Sequence, residues 1–202
     1  MSDIIIIDDF LPGNLLQKLT APDRDFKRIE EVYYAGDTGF ITPDELEIIS
    51  ATLKDKLPIS FNDVQCRLRR TRPENQKKTQ SFIHTDHFAE YSAIIYLNDG
   101  AGKNGEPTGT YFWESKLTKN KGMRTEEMKM KYKDIMLVNQ LTFELEKWTC
   151  WSKMDQKANR LVLFPSRFFH SPPLTDIEMG ERVTLDIFLN LKFEFKYQKR
   201  PS

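Results

Sequence analysis

The stretch RVTLDIFLNL, residues 182–191, alternates with a period of two: Val183, Leu185, Ile187 and Leu189 fall on one side, Arg182, Thr184, Asp186 and Phe188 on the other. Successive side chains of a strand leave opposite faces, so the pattern reads as a β-strand with one face on a core and one carrying polar groups. The same reading extends outward to FNDVQCRLRR (61–70), QSFIHTDHF (80–88), EYSAIIYLND (90–99), GTYFW (109–113) and RLVLFPS (160–166). These runs are rich in β-branched and aromatic residues, with turn formers between several of them.

The part before residue 60 reads differently. IIIIDDF at 4–10, followed by Pro12, Gly13 and Asn14, predicts a buried strand leading into a helix near 13–20. Thr42-Pro43-Asp44-Glu45 forms a capping box with proline at the first helical position, and Leu46, Ile48, Ile49, Leu53 and Leu57 supply the apolar stripe of a helix ending before Pro58. Helices first and many strands later predict a mainly β fold, a sandwich or barrel with flanking helices on one outer face. The segment 115–140 interrupts the strands with Lys116, Lys119, Lys121, Arg124, Lys129, Lys131 and Lys133. It reads as a lysine-rich, partly helical insertion, either a solvated excursion or a lid.

The chain of 202 residues fits one domain better than two. The expected organisation is N-terminal strand and helix support over about 1–58, a β core over about 60–195, and the insertion. With 30 basic and 30 acidic side chains the charge cancels, which argues against nucleic acid or an anionic membrane surface as the main partner. Cys66 and Cys150 lie far apart with no CxxC spacing, so neither a disulfide framework nor a cysteine zinc site is expected. With no membrane-length apolar run, the expectation is a soluble, cytoplasmic protein.

His84 and Asp86, two apart in a segment that reads as strand or strand end, leave one face and can converge on a point. His170, after RLVLFPSRFF, can bring a third ligand from a neighbouring strand. Two imidazoles and one carboxylate are the facial triad of non-haem iron(II) oxygenases, which leaves three adjacent positions of an octahedral ion open for a chelating keto acid and dioxygen. Arg182 presents a planar fork that matches the far carboxylate of a dicarboxylic acid, with Thr184 placed to add a hydroxyl donor. An ion pair of Arg182 with Asp186 or Glu181 is the bland alternative.

His84-Thr85-Asp86, EYSAIIYLND, TGTYFW at 108–113, LVLFPSRFFHSPPL at 161–174 and GERVTLDIFL at 180–189 follow one another in an order that resembles the prolyl-4-hydroxylase-like branch of the iron(II)/2-oxoglutarate dioxygenases. The opening IIIIDDFLP looks similar too. The resemblance implies a double-stranded β-helix, that is, a jelly-roll or cupin-like core. It assigns iron(II) to His84, Asp86 and His170, and the distal carboxylate of 2-oxoglutarate to Arg182, Thr184 and Tyr96. It places the aromatic Phe188 beside the metal, and it implies a hydroxylase that uses dioxygen, with ascorbate as a supportive reductant. Its substrate would be a prolyl or other peptide residue, or a small molecule such as a free amino acid. The chain departs from the family in GEPTGTYFW after the YLN strand. It departs again in Arg69 to Glu74, where relatives often place a tyrosine on the strand that commonly lines the substrate side.

Bland readings stand beside these. His87 is read as a surface or supporting neighbour of the ligand pair, and Tyr96 equally well as a core tyrosine. The basic run Arg67, Arg69, Arg70, Arg72, Lys77 and Lys78 is a solvated face or a rim for an acidic substrate. Trp113, Trp148 and Trp151 are read as core. The functional alternatives are a non-catalytic jelly-roll module that binds a divalent metal or small acid, and a nucleic-acid demethylase of the same chemistry. The neutral charge disfavours the second.

Overall fold

The computed structural model describes residues 4–31, 34–73, 83–86, 88–100, 102, 105–123, 144–173 and 180–190. Among the described residues ten strands and two α-helices follow in the order β1 (Ile5–Ile7), α1 (Gly13–Leu19), β2 (Phe26–Glu31), β3 (Tyr34–Gly39), α2 (Pro43–Lys56), β4 (Val64–Thr71), β5 (Tyr91–Tyr96), β6 (Tyr111–Ser115), β7 (Trp148–Lys153), β8 (Arg160–Pro165), β9 (His170–Ser171) and β10 (Arg182–Leu189). A seven-stranded sheet runs β1-β8-β5-β10-β4-β3-β2 and a three-stranded sheet runs β7-β6-β9, all pairs antiparallel. This is the jelly-roll architecture with flanking helices.

The alternation in the sequence sets which layer each strand face joins. Val183, Leu185, Ile187 and Leu189 of β10 pack with Leu68, Ala93, Ile95, Leu161 and Leu163 against Leu15, Leu19, Ile49 and Leu53 of the helices. The opposite face of the same sheet meets the small sheet through Tyr96, Phe112, Val162, Phe164 and Phe168. The outer side of the small sheet is closed by Ile83, Tyr111, Trp113, Met123, Trp148 and Phe169. Trp113 and Trp148 are therefore core residues, and Trp151 is half-buried against the inter-sheet cluster.

The α2 start is as its sequence reads. The Thr42 hydroxyl accepts from Glu45 N at 3.3 Å, and Glu45 Oε2 accepts from Thr42 N at 2.9 Å. Arg24 adds a forked contact to Glu45, at 2.6 and 2.9 Å. Asn159, in the left-handed region at φ 59°, accepts from Leu11 N at 2.7 Å and donates to Leu11 O at 3.0 Å, which ties the N-terminal arm to the barrel.

Three expectations need correction. Among the described residues the IIII run is an edge strand paired only with β8, and Ile6 is 47% exposed. Residues 26–39 add a hairpin, β2–β3, that extends the main sheet, so the N-terminal part is more than one strand and helices. Among the described residues of 80–88 the chain forms an isolated bridge at His84 instead of a strand. Strand β7 forms from WTCWSK, whose few branched residues carry no strand pattern in the sequence. The insertion is described only to Met123, where Gly122 bridges Phe168, and from Glu144; its lid and helix readings fall outside the described residues.

Candidate metal centre and acid subsite

His84 and His170 face each other as an antiparallel bridge: His84 N donates to His170 O at 2.9 Å, and His170 N to His84 O at 2.9 Å. That reciprocal pair fixes both backbones, and the imidazole centroids lie 4.3 Å apart. Asp86 is held two residues on, its N–H donating to Ser166 O at 2.8 Å. Ser166 in turn donates its hydroxyl to Ala89 O, which shapes the loop that follows. His84 Nε2 is 3.8 Å from Asp86 Oδ1, and His170 Nε2 is 3.4 Å from Asp86 Oδ2. One ligand atom from each of the three lies within 4.8 Å of the others, the spread of a cluster able to hold one metal ion.

The surroundings tune these groups as ligands. His170 Nδ1 meets Phe168 O at 2.9 Å, so the tautomer that donates there leaves Nε2 with its lone pair toward Asp86. Ser92 Oγ donates to Asp86 Oδ2 at 2.7 Å. Burial raises the Asp86 pKa, but the two imidazoles and the Ser92 hydroxyl outweigh it and hold the carboxyl well below its usual range. Burial lowers the His170 pKa, and the Asp86 carboxylate outweighs that and raises it. A metal ion in the cluster would replace the proton in this role.

The acid-binding candidates sit farther along the same inward face. Thr184 is paired with Tyr96, Asp186 with Ile94, and Phe188 with Ser92. Ser92, which supports Asp86, and Tyr96, beside Thr184, thus lie four residues apart on one face of β5. Those four residues span about 13 Å, and side chains reach inward from both ends. Arg182 stands with its guanidinium 5.5 Å from the Tyr96 ring centroid, and its Nε is buried with no hydrogen-bond partner among the described residues. Among the described residues neither ion-pair alternative for Arg182 forms within 4.0 Å: Arg69 binds Asp186 at 3.1 Å and Arg72 reaches Glu181 at 3.9 Å. Tyr96 is fully buried, and its hydroxyl meets Thr110 Oγ1 at 2.8 Å.

Sequence reading therefore brought His84, Asp86 and His170 to one point, and Arg182, Thr184 and Tyr96 to another. It missed Ser92 and Thr110, which carry no motif of their own; strand register places Ser92, and the hydrogen bond to Tyr96 places Thr110. Phe188 packs on Phe88 with centroids 4.7 Å apart, directly across from Ser92. His87, Lys77 and Lys78 fall outside the described residues. The basic run does not form one surface: alternation sends Arg69 to the inner face with Asp186, while Arg70 binds Asp37 at 3.0 Å on the other.

No family model matches the chain, and no curated protein matches it either. Solved structures do. A Pseudomonas putida prolyl-4-hydroxylase matches at 15% identity and TM-score 0.53, over 96% of this chain and 95% of that one. HygX from Streptomyces hygroscopicus, with nickel, 2-oxoglutarate and hygromycin B bound, matches at 10% identity and TM-score 0.56, over 95% of this chain and 84% of that one. SnoK, a non-heme alpha ketoglutarate dependent carbocyclase from nogalamycin biosynthesis, matches at 13% identity and TM-score 0.53, over 94% of this chain and 80% of that one. At these identities the likeness is one of fold, and the protein has the double-stranded β-helix fold of iron/2-oxoglutarate oxygenases.

Proposed function

We propose that this protein is an iron(II)- and 2-oxoglutarate-dependent oxygenase that hydroxylates a C–H bond of a peptide residue or a small molecule. The observation that carries the reading is the pairing of two sites on one inner face. A His-Asp-His cluster stands at one end, and at the other a buried guanidinium Nε has nothing in the described protein to bind.

The residues fit both groups. His84, Asp86 and His170 are a nitrogen and oxygen donor set suited to iron(II), with no thiolate to be oxidised. Iron held there supplies the redox chemistry by which dioxygen and 2-oxoglutarate yield succinate, carbon dioxide and a hydroxylated substrate. Arg182 receives the distal carboxylate through its planar fork, and the Thr184 hydroxyl adds a second donor. Tyr96 closes that end with its ring under the guanidinium, and the Thr110 hydroxyl fixes its phenol. Asp86 stays ionised because Ser92 and the imidazoles favour its charged form, and the Phe88–Phe188 pair restricts water beside the ligands.

The testing experiment is anaerobic titration of the iron(II)-loaded protein with 2-oxoglutarate, followed through the weak visible charge-transfer band of a chelated keto acid. The band should appear, and Asp86→Ala should remove it. A metal-loaded wild-type protein that never develops the band would refute the reading and leave a jelly-roll module that binds metal without turnover.

A further inference from the structure

Asp186 stands in the middle of the inner face, between the metal cluster and the acid candidates, and belongs to neither. Its register partner on β5 is Ile94, which lies between Ser92, the support of Asp86, and Tyr96, the neighbour of Thr184. Residues two apart on one strand face are about 6.6 Å apart at Cα, so Asp186 is one such step from Thr184 and one from Phe188. Its carboxylate meets Arg69 Nε at 3.1 Å, with the Asp186 side chain 16% exposed and that of Arg69 31%. Arg69 is itself paired across the sheet with Thr184, so the contact runs diagonally and lies beside the acid candidates. The Asp186 charge is felt at both ends of the face. Burial raises the Tyr96 pKa and Asp186 adds to the rise; burial lowers the His170 pKa, and Asp86 and Asp186 both raise it.

A carboxylate on a face that receives a dicarboxylic acid repels that acid. Packing alone does not ask for one, since an apolar pair fills a half-buried place at no cost in desolvation. We propose that Asp186, held by Arg69, is an internal counter-charge of the acid subsite: it weakens the hold of Arg182 on dicarboxylates, so that succinate leaves, and Arg69 limits the repulsion enough for 2-oxoglutarate to bind. The proposal rests on the oxygenase reading above. 2-Oxoglutarate and succinate carry the same distal carboxylate, so a subsite that holds the first too tightly also retains the second. Removing either member of the pair changes the charge of the face by one unit, whatever else that side chain touches. One charge acting over about 7 Å at an effective dielectric constant of about 20 changes an affinity by more than tenfold, and by about tenfold once salt screens it. The two removals act with opposite sign. A pair that only braced β4 against β10 would give losses of the same sign.

The test titrates the iron(II)-loaded wild type and variants anaerobically with 2-oxoglutarate through the keto-acid band, then displaces the band with succinate. Asp186→Asn keeps the shape and removes the charge, and it should lower the Kd of both acids about tenfold. Arg69→Met should raise both Kd values about tenfold. Arg69→Lys, which keeps the charge, should leave them within about threefold of the wild type, and the double variant Arg69→Met/Asp186→Asn should return to the same range, a recovery that a merely structural role would not produce. The proposal is overturned if Asp186→Asn raises the two Kd values or leaves them unchanged, or if both single variants shift them in one direction. Should Arg69→Met fail to fold, the sign of the Asp186→Asn shift alone decides. Absence of the keto-acid band in the wild-type protein would instead overturn the oxygenase reading, and this proposal with it.

Discussion

Arg182→Met removes the guanidinium and keeps a long apolar stem, and the structure sets opposite expectations for the protein with and without acid. In the ligand-free fold the Arg182 Nε is a buried donor without a hydrogen-bond partner among the described residues, and the guanidinium stands over the Tyr96 ring. A bare buried donor costs about 1–3 kcal/mol, and the cation–ring contact returns about 0.5–2 kcal/mol. These nearly cancel, so the variant should match the wild type within about 1 kcal/mol, or about 2–4 °C in Tm. With acid bound, a carboxylate–arginine fork contributes at least about 3 kcal/mol, so its loss weakens 2-oxoglutarate by about two powers of ten. At a concentration of about 100 times the wild-type Kd, the wild type gains about 2.7 kcal/mol, which is about 5–10 °C. The variant at that same concentration gains only about 0.4 kcal/mol, about 1 °C. Scanning calorimetry of the nickel-loaded proteins, with and without 2-oxoglutarate, reads both numbers. Retention of the full 2-oxoglutarate shift would refute the anchor. A fall of more than about 8 °C in the ligand-free Tm would show the guanidinium to be structural.

Three further outcomes are expected. Ser92→Ala removes the hydroxyl that donates to Asp86 at 2.7 Å and should lower metal affinity about 10–100-fold in chelator competition; an unchanged affinity would show that the loop alone orients Asp86. The Arg24 fork depresses the Glu45 pKa to about 2, so its stabilisation is present above the unfolded value near 4.5 and is lost as pH falls through about 2. Glu45→Gln should therefore destabilise by about 1–3 kcal/mol at neutral pH in urea titration, with the difference closing toward pH 2, and a pH-independent difference would exclude the ion pair as its cause. Burial pushes the Cys66 thiol up to about 12, leaving about one thiolate in ten thousand at pH 8. Iodoacetamide should thus label Cys66 slowly until the protein unfolds, and rapid labelling of Cys66 itself in the native protein, read by peptide mapping, would contradict the raised pKa.

The sequence by itself determined what is local or periodic. Strand β10 was legible because Val183 to Leu189 alternate, α2 because Thr42 and Glu45 cap each other, and the ligand pair because His84 and Asp86 share a face at spacing two. Burial on one face and hydrogen bonding within a few residues act through near neighbours, so composition and spacing record them. The tertiary structure decided what depends on register between distant strands. Only the β10–β5 pairing sets Ser92 opposite Phe188 and Thr184 opposite Tyr96, and only the bridge between His84 and His170 brings the third ligand in. The basic run at 67–72 looked like one surface until pleating divided it, Arg69 inward to Asp186 and Arg70 outward to Asp37. The edge position of β1 and the β2–β3 hairpin were hidden for the same reason: an apolar run states that it will be covered, but the layer that covers it lies far away in the chain.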